Sequence, residues 1–305
     1  MNKRVKDVSS PGRRLFFHLG YPKTASTFLK EKILKRQDRI NYLGKPYPGF
    51  TLTDLFLERT SIEDAASYLR DNYQAEKINI ISDENALSPL NQFGMEISLE
   101  QRLNTLESLL SSFDPVYLVS IRKPESLIMS YLTQTVDRHP EKAVKHSLTL
   151  SDFFSSLNSR VELHAPATQY FNSFFHIDHF VTAIRQRGSV HILWYEMLQE
   201  EPVSFLKSLE EIFATYFNWN LTLADEDMVG TSSEVLNQTV SSDLLLREKN
   251  SGHAHVVTKR RREFGLLEEI DEEKKALLLS CFALDRAGFS KSEQSYLERF
   301  GYPLR

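Results

Sequence analysis

Lys23 stands four residues beyond the apolar run Leu15 to Leu19, among the hydroxyls of Thr24, Ser26 and Thr27. The run contains two phenylalanines and suits a buried strand. Gly20, Tyr21 and Pro22 end it, and Lys23, Thr24, Ala25, Ser26 and Thr27 lead into Phe28, Leu29, Ile33 and Leu34. Those four apolar positions fall on one face of a helix. A strand, a tight turn and a helix start form an anion site, because free backbone N–H groups and the positive helix end converge there. Lys23 adds a full charge and the hydroxyls add donors, so the chemistry points to a phosphate or a group shaped like one. The plain alternative is a βα turn with a surface lysine.

Two more polar clusters follow apolar runs. Lys77 to Ser82 reads as a strand and runs into Asp83 and Glu84. Pro115 to Ile121 reads as another and runs into Arg122, with Pro124 suited to the first turn of a helix and Ser130 eight residues past the arginine. Arginine offers a planar fork that matches a phosphate. Glu84 suits a general base that accepts a proton from an attacking hydroxyl or amine. Asp83 and His18 are its rivals, although strand alternation favours His18 as a satisfied core histidine. Capping or salt bridging is the ordinary alternative for the two carboxylates, and a solvated arginine beside a helix-surface serine is the alternative for Arg122 and Ser130.

The elements that must position these residues alternate. Residues 41–50 read as a loop rich in Gly, Pro and Tyr. Helices are expected at Leu52 to Glu58, at Ser61 to Tyr73 with Ser61 and Asp64 at its cap, and at Ser98 to Phe113. Further helices are expected at Thr149 to Leu157, Thr168 to Gln186, Pro202 to Phe217, Glu268 to Ala287 and Ser290 to Phe300, with a fourth strand at Ser189 to Trp194. Strands alternating with helices predict an α/β, three-layer architecture: a central parallel sheet with helices on both faces. Ligands of such sheets bind at the carboxyl ends of the strands, which is where Lys23, Glu84 and Arg122 all fall.

The segment Gly20-Tyr21-Pro22-Lys23-Thr24-Ala25-Ser26-Thr27 resembles the 5′-phosphosulfate loop of sulfotransferases that use 3′-phosphoadenosine 5′-phosphosulfate (PAPS). It differs from the triphosphatase P-loop, in which four residues separate the first Gly from Gly-Lys-Ser/Thr. Arg122, Pro124 and Ser130 are similar to the Arg-x-Pro-x5-Ser pattern with which that family grips the nucleotide 3′-phosphate. Trp194-Tyr195-Glu196-Met197-Leu198 and the ending Phe300-Gly301-Tyr302-Pro303 are similar to family features too. The resemblance implies a P-loop NTPase-like sulfotransferase fold and PAPS as donor, with 3′-phosphoadenosine 5′-phosphate (PAP) as product. In this scheme Lys23 is expected to stabilise the leaving phosphate; family members use a Glu or a His as base, and Glu84 is the best candidate for it here, with Asp83 and His18 as rivals. Family members often lay a late basic loop over the nucleotide. Here Arg260, within Thr258 to Arg262, is the residue expected to reach it, and Asn237, Gln238 and Thr239 are weaker candidates.

Net charge of −4 over 305 residues gives no bulk attraction to nucleic acid. A single cysteine, Cys281, forms no disulfide within the chain and fits a reducing compartment; it reads as a buried structural thiol. No apolar stretch of membrane-spanning length and no leader pattern are visible, so a cytoplasmic, bacterial-type member is expected. One domain over 1–305 is expected, with residues 1–13 as a loose tail and 224–262 as a segment covering the active site. No metal is required by this scheme, and His176 with His179, or His253 with His255, lack a convincing third ligand. The acceptor is expected to be a carbohydrate or small molecule, lined from an aromatic set that includes Tyr42, Tyr47, Phe50, His139, Tyr170, Phe171, Phe174 and Phe175. An ATP-dependent kinase and a non-catalytic nucleotide-binding protein remain the competing readings.

Overall fold

The structure, a computed structural model, describes residues 13–20, 24, 26–44, 52–83, 98–138, 154, 177–217 and 271–305. Five strands lie parallel in one sheet: β1 (Arg14–Gly20), β2 (Ile40–Gly44), β3 (Ile78–Ser82), β4 (Asp114–Ile121) and β5 (Ser189–Trp194), in the order β2-β3-β1-β4-β5. β1 lies in the middle, where its largely apolar sequence is covered on both sides. Leu15, Phe16, Phe17 and Leu19 are fully buried, as a strand covered on both faces must be.

Strand alternation sends Phe16, His18 and Gly20 to one face and Leu15, Phe17 and Leu19 to the other. On the first face Phe16 meets Phe213 edge-on at 5.1 Å and Tyr216 at 5.5 Å, both from a helix over Pro202–Tyr216. Burying a phenylalanine in this way contributes about 1.5–3 kcal/mol. On the opposite face Phe17 stacks on Tyr117 at 6.5 Å. Beyond Tyr117 on that face lies a helix over Leu99–Leu109, tied down by Arg187, whose Nη2 donates to Glu100 Oε1 at 2.7 Å and to Asn104 Oδ1 at 3.1 Å.

The helices among the described residues are, in order, α1 (Ser26–Phe28), α2 (Leu52–Phe56), α3 (Ile62–Asp71), α4 (the Leu99–Leu109 helix), α5 (Pro124–Arg138), α6 (Ile177–Arg185), α7 (Tyr195–Glu200), α8 (the Pro202–Tyr216 helix), α9 (Glu272–Phe282) and α10 (Lys291–Arg299). Their ends follow from their residues. Ser61 Oγ accepts the Asp64 N–H at 3.0 Å at the start of α3. Ser98 and Gln101 form a reciprocal capping box on α4, as do Ser290 and Glu293 on α10. α10 stops at Gly301, whose φ of +66° needs no Cβ. The N–H of Tyr302 then returns to the Leu297 carbonyl and that of Gly301 to Glu298, a Schellman closure.

Four sequence expectations change. Residues 40–44 form strand β2 where a loop was expected; an asparagine and a glycine weaken the strand signal, but Asn41 Nδ2 bonds Asn79 Oδ1 across to β3 at 2.8 Å. The helix after α1 is not regular: Leu29–Ile33 winds as a π-turn and Leu34–Arg36 as a 3-10 turn, while Phe28, Leu29, Ile33 and Leu34 are all buried as the spacing required. The expected helix from 268 ends at Phe282, because Leu284 pairs with Leu304 in a short bridge. Cys281 is half-buried. Residues 1–12, most of 139–176 and 224–262 lie outside the described residues. Arg13, the last residue of the expected tail, gives its carbonyl to the Asp114 N–H at 2.9 Å.

Candidate active site

The order of the strands fixes where a site can form. From β1 the chain travels to β2 and β3 on one side; from β4 it travels to β5 on the other. The connections leaving the neighbours β1 and β4 therefore run to opposite sides of the sheet, and the crevice outside such a switch point is where parallel α/β sheets take ligands. Gly20 closes β1 and Ile121 closes β4, so Gly20 and Arg122 stand at the same carboxyl edge of the sheet, on either side of the switch point.

The two strand ends touch closely. Gly20 is in register with Ser120, and a Cβ on Gly20 would lie 2.8 Å from the Ser120 carbonyl oxygen. Only glycine lets β1 leave the sheet at that separation. Past it, Thr24 and Ser26 are buried and α1 begins at Ser26. Thr27 lies in α1, whereas Tyr21, Pro22, Lys23 and Ala25 lie outside the described residues.

Just below this edge a polar tie crosses three strands. His18 Nδ1 and Ser82 Oγ are 2.7 Å apart, as are His18 Nε2 and Ser120 Oγ. One imidazole nitrogen donates and the other accepts, and the hydroxyl hydrogens rotate to suit either tautomer. With both nitrogens engaged and the ring fully buried, His18 is the satisfied core histidine and not a proton acceptor for a bound substrate. The Asp83 N–H donates to the His18 carbonyl at 3.0 Å and holds Asp83, a buried residue, at the same edge. Glu84 lies outside the described residues.

Arg122 is the best-defined charged group of the site. Its Nε donates to Ser126 Oγ at 2.6 Å, and its guanidinium sits over the Tyr195 ring at 4.2 Å. Burial draws its pKa below the usual guanidinium value, while Tyr195, Glu196 and Tyr302 oppose that shift; an arginine keeps its charge in any case. Ser130 lies one turn beyond Ser126 on the same helical face of α5, half-buried. The α5 N-terminus opens beside Arg122 with Pro124 as its first residue, which adds the positive end of a fifteen-residue helix.

Three residues without a sequence-derived role complete this corner. Glu196, buried at the start of α7, accepts the Lys123 N–H on Oε1 at 2.8 Å and the Tyr302 O–H on Oε2 at 2.6 Å. Tyr302 is pushed well above the usual phenol pKa by burial first, then by the charge of Glu196 and their hydrogen bond. Trp194 packs on Tyr302 at 5.8 Å and on Tyr296 at 5.7 Å, which seats the carboxyl-terminal turn against α7. Tyr195, Glu196 and Tyr302 stand in segments with a sequence signal but no contact pattern; Ser126, four residues after Arg122 across a helix-starting proline, had a legible one.

Of the other candidates, Tyr42 is half-buried on β2 with Lys35 Nζ over its ring at 5.7 Å, and His179 is exposed on α6. Arg260, Asn237, Gln238, Thr239, His176, His253, His255 and the remaining aromatic candidates lie outside the described residues. Among the described residues no cluster of three or more metal-ligating side chains occurs, and no helix is long and apolar enough to cross a membrane.

No protein-family model matches the chain, and no curated protein sequence matches it significantly. Solved structures do. A sulfotransferase from Alicyclobacillus acidocaldarius aligns with a TM-score of 0.51 at 13% identity, covering 90% of this chain and 92% of that one. Two retinol dehydratase structures align less well. One is in complex with androsterone and inactive cofactor PAP (TM-score 0.32, 14% identity, 97% of this chain and 83% of that one). The other is in complex with retinol and PAP (0.27, 16%, 97% and 84%). The first alignment shows that the chain has the sulfotransferase fold, a parallel α/β sheet covered by helices; the other two are too low to bear on it.

Proposed function

We propose that the chain is a PAPS-dependent sulfotransferase, a single catalytic domain that moves a sulfuryl group to a hydroxyl or amine of a carbohydrate or small-metabolite acceptor in the cytoplasm. The observation that carries this reading is the shared carboxyl edge of β1 and β4 at the switch point of the sheet. A glycine-ended strand leading to a hydroxyl-rich helix start meets an arginine fixed by Ser126 and Tyr195. These groups fit a nucleotide with phosphates at both ends: Arg122 and Ser130 would hold the 3′-phosphate, and Gly20 to Thr27 would hold the 5′ end.

The donor substrate supplies an activated sulfuryl group. In the proposed reaction the acceptor oxygen bonds to sulfur while the sulfur–oxygen bond to the 5′-phosphate breaks. Glu84 takes the acceptor's proton, and Lys23 meets the charge left on the departing phosphate oxygen. Positioning and electrostatics carry the step, as in phosphoryl transfer. Arg260 would close over the nucleotide.

PAP release from PAPS, followed over a panel of saccharide and small hydroxyl acceptors, tests the reading. Lys23→Ala and Arg122→Ala are expected to abolish release. Glu84→Gln is expected to lose about 10²–10⁴-fold in rate while still binding PAP. Undiminished turnover in the Lys23 and Arg122 variants would overturn the assignment, and full activity in Glu84→Gln would remove that residue as base.

A further inference from the structure

Glu196 is an odd neighbour for an anion site. Its carboxylate lies beside Arg122, which it influences electrostatically, and negative charge there opposes the binding of a phosphate. Its hydrogen bonds act in the other sense. Oε1 takes the backbone N–H of Lys123, the residue joining Arg122 to α5, at 2.8 Å; Oε2 takes the hydroxyl of Tyr302 at 2.6 Å. Both bonds run between segments far apart in sequence, and both involve a buried carboxylate, where charge-assisted bonds are strong. The Lys123 side chain passes the same carboxyl-terminal turn, with Nζ 3.9 Å from where a Cβ on Gly301 would lie.

The turn bearing Arg122 is therefore held on three sides. Ser126 binds the guanidinium from α5, Tyr195 supports its face from α7, and Glu196 fixes the backbone after it, steadied by the carboxyl-terminal tyrosine. We propose that Glu196 and Tyr302 are positioning residues that set the Arg122–Lys123 turn for the nucleotide 3′-phosphate. The carboxyl-terminal segment thereby governs selectivity for a 3′-phosphorylated nucleotide. The proposal rests on the sulfotransferase reading of the site and adds residues that touch no substrate.

Position and charge predict opposite signs, which makes the idea testable. Glu196→Gln keeps an acceptor for the Lys123 N–H and removes the negative charge. Glu196→Ala removes both. Tyr302→Phe keeps the ring against Trp194 and deletes only the hydroxyl. The experiment is calorimetric titration of the full chain and these variants with PAP and with 5′-AMP, alongside thermal melting.

Glu196→Ala is expected to lose about tenfold in PAP affinity, the worth of one hydrogen bond to a charged group, with AMP affinity unchanged. Tyr302→Phe should shift in the same direction by a smaller factor, and Glu196→Gln should bind PAP no more weakly than the parent. A purely structural role would lower melting temperatures and leave the PAP-to-AMP ratio alone; that result, in a parent that prefers PAP, overturns the inference and spares the nucleotide assignment. Equal parent affinities for PAP and AMP would overturn the nucleotide assignment and this inference with it. If Glu196→Ala does not fold, the ratio in Tyr302→Phe decides.

Discussion

A histidine near the carboxyl end of a central strand invites a catalytic reading, but the two serines on His18 give it a different task. Ser82 and Ser120 each sit 2.7 Å from a ring nitrogen, one on β3 and one on β4, so His18 ties the three central strands together just beneath the crevice. Its contribution is to stability. His18→Phe fills the space and strands two buried hydroxyls, with an expected cost of about 2–6 kcal/mol in chemical denaturation, since each unsatisfied group costs about 1–3 kcal/mol. Adding Ser82→Ala and Ser120→Ala should recover most of that loss, because removing both partners of a hydrogen bond is close to neutral. A triple variant as unstable as the single one would show that the tie is not what His18 supplies. The strand period predicts that His18 faces inward; nothing in the sequence pairs it with serines sixty-four and one hundred and two residues away.

At the scale of elements, the seam between β1 and β4 is the feature on which the candidate site depends. Gly20→Ala would place a methyl group 2.8 Å from the Ser120 carbonyl oxygen and 2.9 Å from its Cβ. The nearer obstacle is backbone, so trimming Ser120 to glycine should not rescue it. Such overpacking costs about 1–3 kcal/mol, and denaturation midpoints of the single and double variants check it; an undisturbed Gly20→Ala midpoint would contradict the close seam. Elements with dense apolar signal were legible in the sequence: β1, β3, β4, β5 and the capped helices α3, α4 and α10. Those decided by partners were not. β2 forms because β3 offers it a ladder and Asn79 a side-chain bond, α7 is too short to show a period, and α9 ends where Leu304 captures Leu284. Arg122 was legible as a residue after a strand, but the brace from Glu196 and Tyr302 spans more than a hundred residues and has no local signature.

For the molecule as a whole, one parallel sheet sets the address of the site and the carboxyl-terminal segment locks one corner of it. Asp178, buried in α6, accepts from the Asp285 N–H at 3.0 Å and from Arg305 at 3.2 Å, and Arg185 grips Glu293 through two bonds of 2.7 Å. These ties hold residues 285–305 beside β5 and α7 and so keep Tyr302 on Glu196. The proposed function requires this arrangement to recognise a nucleotide through its 3′-phosphate and without a metal. The most direct test is calorimetric titration with PAP, 5′-AMP and ATP, each with and without magnesium, in the parent chain and in Arg122→Ala. PAP binding that ignores magnesium, exceeds AMP binding and disappears in Arg122→Ala is the predicted result. Indifference to the 3′-phosphate, or a preference for magnesium-ATP, would contradict the account and favour a kinase.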